Sequence, residues 1–318
     1  MTKSLRVGVI GVGHLGRHHA RIYSLLPSVT FAGICDTNAS RGREIAAEFN
    51  VVFYPKADDL LALVDAVSVA VPTSVHFPVV MSCLNNNCHV LVEKPIASDE
   101  REGELLVQLA KDKEKVLQVG HVERFNPILE KIRPYIHNPG FIECHRLSPF
   151  QPRGTDVDVI RDLMIHDLDL ILSLGLGSTK HIEARGMPVF TEYPDIANVR
   201  ILFESECLVN LTASRISTGR LRKLRIYQRD RYISVDLGEK NAVINSCQVS
   251  DIATRNVQSQ KISGSDGDAL MRELDCFIQS ILGTTSTHGV SGQEGVEALR
   301  MATHIIFLIQ QSVRTPSL

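Results

Sequence analysis

The sequence predicts an α/β protein with a doubly wound parallel sheet of the Rossmann type. An α+β domain with a large, mostly antiparallel open sheet follows it. Three observations predict this. An apolar run, Leu5–Ile10, leads straight into Gly11, Gly13 and Gly16 at the spacing G-x-G-x-x-G, and a helix-compatible stretch follows. Strand and helix patterns alternate through the first 120 residues, as parallel strands joined by crossover helices require. After about residue 122 the pattern changes to longer strands set close together, as in an antiparallel meander. At 318 residues two domains are the natural prior, with expected boundaries of 1–122 and 123–318.

Each element has its own reason. Leu5–Ile10 reads as a strand buried on both faces, and His14–Leu26 as a helix. Val29–Cys35 is a second apolar run, followed by a helical stretch over 38–49 and a short strand at Val51–Phe53. Ala66–Val71 is a buried strand stopped by Pro72, and Ser74–Asn87 is helical. His89–Val92 is a strand running into Glu93, Lys94 and Pro95. Asp99 and Glu102 have capping-box spacing for a helix to Lys113, and Val116–Val119 is the sixth strand. Beyond it a helix near 126–137 leads to strands at 140–148, 180–187, 196–204, 207–213, 222–227, 231–237 and 241–249. Helices are expected at 160–174, 268–282 and 293–312, and Ser259–Gly267 is the most linker-like stretch.

The glycine turn carries the first chemistry. Gly11 allows the sharp turn, Gly13 lets backbone approach a pyrophosphate, and Gly16 lets the helix lie close on the sheet. The helix start offers free N–H groups and a positive dipole end. Asp36 ends the second strand twenty residues after Gly16, where an acid that accepts from adenosine ribose hydroxyls belongs. The turn therefore points to NAD, held by Gly11, Gly13, His14, Leu15, Gly16 and Asp36; a plain α/β turn is the alternative reading.

The bulk numbers narrow the class. Net charge is −2, which gives no general attraction to nucleic acid or an anionic membrane. Seven cysteines form no C-x-x-C pair, as expected of reduced, buried thiols in a cytoplasmic protein. No run approaches the roughly eighteen apolar residues of a membrane span. His14 and His18 stand one turn apart but lack a third ligand, so no metal is expected. The basic run from Arg220 to Arg231 lies on strand pattern, which divides its charges between two faces.

The strands ending at Pro72 and Lys94 deliver a second cluster to the carboxyl edge of the sheet, where such folds bind ligands. It comprises Pro72, Thr73 and His76, with Glu93, Lys94 and Pro95. A lysine placed there can donate to a substrate oxygen, and Glu93 can orient it. Asp162, His166 and Asp169 fall at i, i+4 and i+7, on one face of a regular helix. A histidine titrates near neutrality and a carboxylate one turn away can fix its tautomer. The bland alternative is a capped, solvated helix end.

Together these segments resemble the glucose–fructose oxidoreductase/inositol dehydrogenase (Gfo/Idh/MocA) family. The resemblance rests on the glycine turn with Asp36, on Ala70–His76, on His89–Pro95, on Gly120–Pro127, on Asp162–Asp169 and on Val290–Gly295. It departs at Gln293, where an acid is commoner. By that resemblance the first domain binds NAD and the second binds substrate and forms oligomers, with the substrate between them. The resemblance also makes Lys94 the group that polarises the reacting oxygen, and His166 with Asp162 the acid–base pair. Gly120–Pro127, Asp162–Asp169 and the segment around Arg215 are most similar to bacterial members that oxidise C3 of UDP-N-acetylglucosamine toward amide-linked lipid A. Arg124, Arg153, Asp169 and Arg215 are then the expected substrate contacts, because a pyrophosphate calls for charge-assisted hydrogen bonds. The arginines have a competing use, pairing with local acids such as Glu123, Asp156 or Glu206. Rival functions are an inositol- or free-sugar-type dehydrogenase and a non-catalytic dinucleotide-sensing regulator. The family habit implies a homodimer or homotetramer.

Overall fold

The computed structural model describes residues 4–151, 157–248, 256–264, 267–284 and 289–314. The chain forms two compact units, Met1–Val122 with Asp268–Leu299, and Glu123–Gly267 with Arg300–Leu318.

The first unit is built on six parallel strands: β1 (Leu5–Ile10), β2 (Val29–Cys35), β3 (Val52–Tyr54), β4 (Ala66–Val69), β5 (His89–Glu93) and β6 (Leu117–Gly120). Their order is β3-β2-β1-β4-β5-β6. The direction of winding therefore reverses between β1 and β4, which opens a crevice at their carboxyl ends. The connecting helices are α1 (His14–Tyr23), α2 (Ala39–Glu48), α3 (Ala57–Leu61), α4 (His76–Asn85) and α5 (Glu100–Asp112). The short α3 was not expected; its five residues, with Leu60 and Leu61 buried, are too few to display a helical period. Asn38 caps α2 and Asp99 caps α5, each accepting a backbone N–H three residues on.

The expected continuous domain 123–318 is corrected here. Residues 268–299, with α8 (Ala269–Leu282) and the start of α9 (Gly292–Arg314), return to the first unit. Leu274, Phe277 and Ile278 complete a core with Val7, Val9, Ile34 and Leu91, and Val296 and Leu299 join Leu106 and Val119. An amphipathic helix does not declare in its sequence which sheet receives its apolar stripe.

The second unit holds β7 (Phe141–Leu147), β8 (Thr179–Met187), β9 (Ile196–Phe203), β10 (Leu208–Ser214), β11 (Leu221–Tyr227), β12 (Arg231–Asp236), β13 (Asn241–Gln248) and β14 (Asn256–Ser263). They form one sheet in the order β14-β13-β12-β11-β7-β10-β9-β8, antiparallel throughout except for the parallel pair β7 and β10. The linker expected at Ser259–Gly267 is corrected: most of it is β14, paired along β13. Its residues are polar because it is an edge strand. The helix expected over 126–137 is shorter: α6 (Pro127–Ile132) gives way to a tight turn at Arg133–Tyr135, where Pro134 stands. One face of the sheet packs Ile142, Val199, Leu211 and Ile226 against Met164, Leu168, Ile305 and Ile309. The basic run divides as alternation requires. Arg222 reaches Glu123, while Lys223 pairs with Asp236 and Arg225 with Glu143.

Candidate active site

In the first unit the site starts where β1 ends. Gly11 has φ +83°, and an added Cβ would lie 2.7 Å from the Ala70 carbonyl oxygen. At Gly16 an added Cβ would lie 1.8 Å from the Gly11 carbonyl oxygen, so loop and helix approach backbone to backbone. Gly13 differs. Apart from its chain neighbours, a Cβ there would meet only Arg41 Nη1 within 4 Å, at 3.9 Å. Contact forces Gly11 and Gly16 to be bare, whereas Gly13 is bare beside open space. That is the cradle a pyrophosphate needs at the start of α1, and the residues present fit the dinucleotide. His14 and Leu15 are exposed at that start. Asp36 accepts from Val12 N at 2.7 Å and from Asn38 N at 2.7 Å, which pins its carboxylate beside the loop.

At the neighbouring strand ends, Pro72 is exposed, and Thr73 opens a short turn to Val75 before α4. His76 was expected at the ligand-binding edge. It is buried, with Nδ1 2.8 Å from the Pro95 carbonyl and Nε2 2.9 Å from the Val71 carbonyl. Burial lowers its pKa, and the two carbonyls only partly offset that. His76 is thus a strut between the loops after β4 and β5. Glu93, expected at the same edge, is also turned into the fold. Its carboxylate is buried and takes a 3.0 Å contact from His19 Nε2 of α1. Burial pushes the Glu93 pKa up, but the His19 contact and the Lys94 charge outweigh it and hold Glu93 below its ordinary value. Lys94 follows it, half-exposed, with a cis peptide bond to Pro95. Nothing in the residue pattern singles out His19; a histidine on an apolar helix face reads as core.

In the second unit, α7 (Ile165–Leu172) carries His166 and Asp169. A π-helical turn, Ile160–Met164, precedes it and carries Asp162. The run expected as one regular helix is therefore π-helical up to Met164 and α-helical from Ile165, with Asp162 and His166 on either side of the change. Asp162 and His166 are both half-buried. Asp169 is 1% exposed and bound bidentately by Arg124, with Nε–Oδ2 2.7 Å and Nη2–Oδ1 2.9 Å. The neighbouring Asp167 is bound by Arg146 at 2.9 and 2.7 Å, and Arg146 also donates to Glu123 at 2.9 Å. Burial alone would lower the Arg146 pKa; the two carboxylates raise it instead. Two bidentate pairs thus clamp the turn that bears His166.

Arg215 is buried as well. It donates to Asp195 at 2.8 Å, to the Val157 carbonyl at 2.6 Å and to Thr191 at 2.9 Å. Asp195 also takes the backbone N–H groups of Val189, Phe190 and Thr191, which hold its carboxyl far below the usual range against the effect of burial. Asp169 and Arg215, expected as substrate contacts, make internal pairs, while Arg124 keeps a partly exposed edge. Pairing with local acids is what the arginines do, although the acids are Asp169 and Asp195 in place of those expected. Arg153 and Asp156 lie outside the described residues.

Comparison with known proteins gives a consistent result. Residues 5–121 match the model of an oxidoreductase family with an NAD-binding Rossmann fold. A UDP-N-acetylglucosamine 3-dehydrogenase of Acidithiobacillus ferrooxidans is 38% identical over 279 residues, covering 87% of this chain and 88% of that one. A solved structure of that enzyme from the same organism matches with TM-score 0.91 at 36% identity, covering 98% and 99% of the two chains. A myo-inositol 2-dehydrogenase of Thermotoga maritima is 24% identical over 314 residues, covering 93% of each chain.

Proposed function

Because this chain belongs to the Gfo/Idh/MocA family of NAD-binding oxidoreductases, we propose that it oxidises the 3-hydroxyl of UDP-N-acetylglucosamine to the 3-keto sugar. The observation that carries the substrate is the 38% identity, over most of both chains, to an enzyme of that activity. The inositol dehydrogenase is more distant, at 24% over 314 residues.

NAD supplies the two-electron acceptor when bound. The glycine turn holds its pyrophosphate, and the Asp36 carboxylate accepts from the adenosine ribose and repels a 2′-phosphate. Lys94 donates to the oxygen on the carbon being oxidised and stabilises the charge that develops there. His166 takes the hydroxyl proton, and Asp162 tunes its basicity. The rival reading of a sensor without catalysis is disfavoured because the sequence retains both Lys94 and His166.

The reading includes a cytoplasmic location: no helix among the described residues is long and apolar enough to cross a membrane. It also includes a homodimer or homotetramer formed through the open face of the second sheet, where the rings of Phe141, Tyr227 and Tyr232 run across three strands.

Oxidation to a ketone is favoured only when the product is removed. The test therefore follows NADH formation from UDP-N-acetylglucosamine with a sugar aminotransferase and glutamate present. Turnover is expected with that sugar. NADH from inositol or free glucose but none from UDP-N-acetylglucosamine would replace this reading with the rival dehydrogenase.

A further inference from the structure

Three arginines, Arg17, Arg41 and Arg43, lie on α1 and α2, the two helices that follow β1 and β2. Arg17 pairs with Glu48 at 2.7 Å, and Arg43 lies over the Phe53 ring at 5.9 Å. Arg41 has no carboxylate partner among the described residues, yet its guanidinium sits beside Gly13, the one loop glycine with open space above it. Its placement is also unfavourable locally. Arg41 is in the first turn of α2, which contains no acid, and a cation there opposes the helix dipole by about 0.3–1 kcal/mol. A cost of this kind, met without a local gain, marks a functional position.

The backbone of Arg41 is held in place. Val12 N donates to Asp36, Asn38 N donates to the other oxygen of Asp36, and the Asn38 side chain accepts from Arg41 N at 3.1 Å. A continuous chain of hydrogen bonds thus runs from the glycine loop to the residue whose side chain returns over it. The acid that reads the ribose also fixes where Arg41 starts.

We propose that Arg41 is a cofactor-binding residue that closes over the dinucleotide pyrophosphate and completes its charge neutralisation at the start of α1. The assignment to the pyrophosphate follows from position. The guanidinium faces Gly13, the N-cap of α1, whereas a 2′-phosphate would have to share its space with the Asp36 carboxylate. The inference rests on the NAD reading and deepens it.

The test is titration calorimetry of wild type, Arg41→Ala and Arg41→Lys with ADP-ribose, NADH, NADPH and adenosine. Arg41 is exposed, and matched melting curves will confirm that the variants fold. Arg41→Ala should weaken ADP-ribose and NADH about 10–100-fold, the range of charge-assisted hydrogen bonds to phosphate. Adenosine should be unaffected, Arg41→Lys should recover part of the loss, and added salt should narrow the gap. Unchanged ADP-ribose binding overturns the proposal. So does a loss confined to NADPH, which would assign Arg41 to a 2′-phosphate, or an equal loss with adenosine, which would assign it to the base. Wild-type protein that binds none of the four would instead overturn the NAD reading itself.

Discussion

Lys94 occupies a half-exposed position between two buried neighbours. Glu93 behind it is fixed by His19, and Pro95 ahead of it offers its carbonyl to His76. Replacing Lys94 with alanine should therefore leave this frame and the cofactor cradle intact while removing the charge. The expected loss in kcat is about 10²–10⁴-fold, typical of a positioned proton-transfer or charge-stabilising group. NADH affinity, read by fluorescence titration, should stay within a few-fold. Near-normal turnover of the variant would place the chemistry elsewhere. The aspartates around His166 teach the opposite lesson. Asp167 and Asp169 have the residue type of site groups but the environment of core groups, each closed by a bidentate arginine. Breaking such a buried pair costs about 3–5 kcal/mol because it strands a charge, so both pairs resist single substitution.

Among the elements, the turn from β1 into α1 is the most tightly specified. An alanine at Gly16 would need its Cβ where the Gly11 carbonyl oxygen stands, 1.8 Å away, and the obstacle is backbone. Gly16→Ala should therefore force α1 off the sheet, lower Tm by several degrees and abolish NADH binding. Calorimetry and fluorescence titration read the two effects; a variant that melts and binds like wild type would contradict the close packing seen here. Strand β1 itself was legible because a strand buried on both faces is a continuous apolar run. The π turn before α7 was not, because residue type carries no sign of an inserted residue in a helix. For the same reason Asp162–Asp169 reads as part of one regular helix in the sequence.

For the whole molecule the titrating groups point one way. His89, at the amino end of β5, accepts from Val116 N, and burial lowers its pKa from 6.5 to about 4. The unfolded chain therefore binds a proton below pH 6.5 that the folded chain refuses. The stability is fully present above about pH 6.5 and is lost as pH falls toward 4. The loss from this group is about 2 kcal/mol, discounted for its partial exposure. The buried carboxylates of Glu93 and Glu123, held below their ordinary values, extend the loss to lower pH. Urea midpoints at pH 7 and pH 5 should differ in wild type and differ less in His89→Gln, where buried His76 still contributes. Equal midpoints in wild type would refute the shift. His89 and Lys94 lie toward opposite ends of β5, so this acid lability is separable from the pH dependence of turnover.

The sequence by itself determined the parallel sheet and the cofactor turn, and it singled out Lys94 and His166 as candidates. Each of these rests on local chemistry: apolar runs, glycines at fixed spacing, and reactive side chains at strand or helix ends. Tertiary structure alone decided what those residues face. It returned α8 to the first unit, made a strand of the polar stretch at Asn256–Ser263, turned His76 and Glu93 inward, and matched Arg124, Arg146 and Arg215 with Asp169, Asp167 and Asp195. Those partners lie 20 to 45 residues apart in the three arginine pairs, and 74 apart for His19 and Glu93. A charged residue looks the same in sequence whether it meets solvent, a ligand or its opposite charge. Only the packing that removes water from both partners settles which.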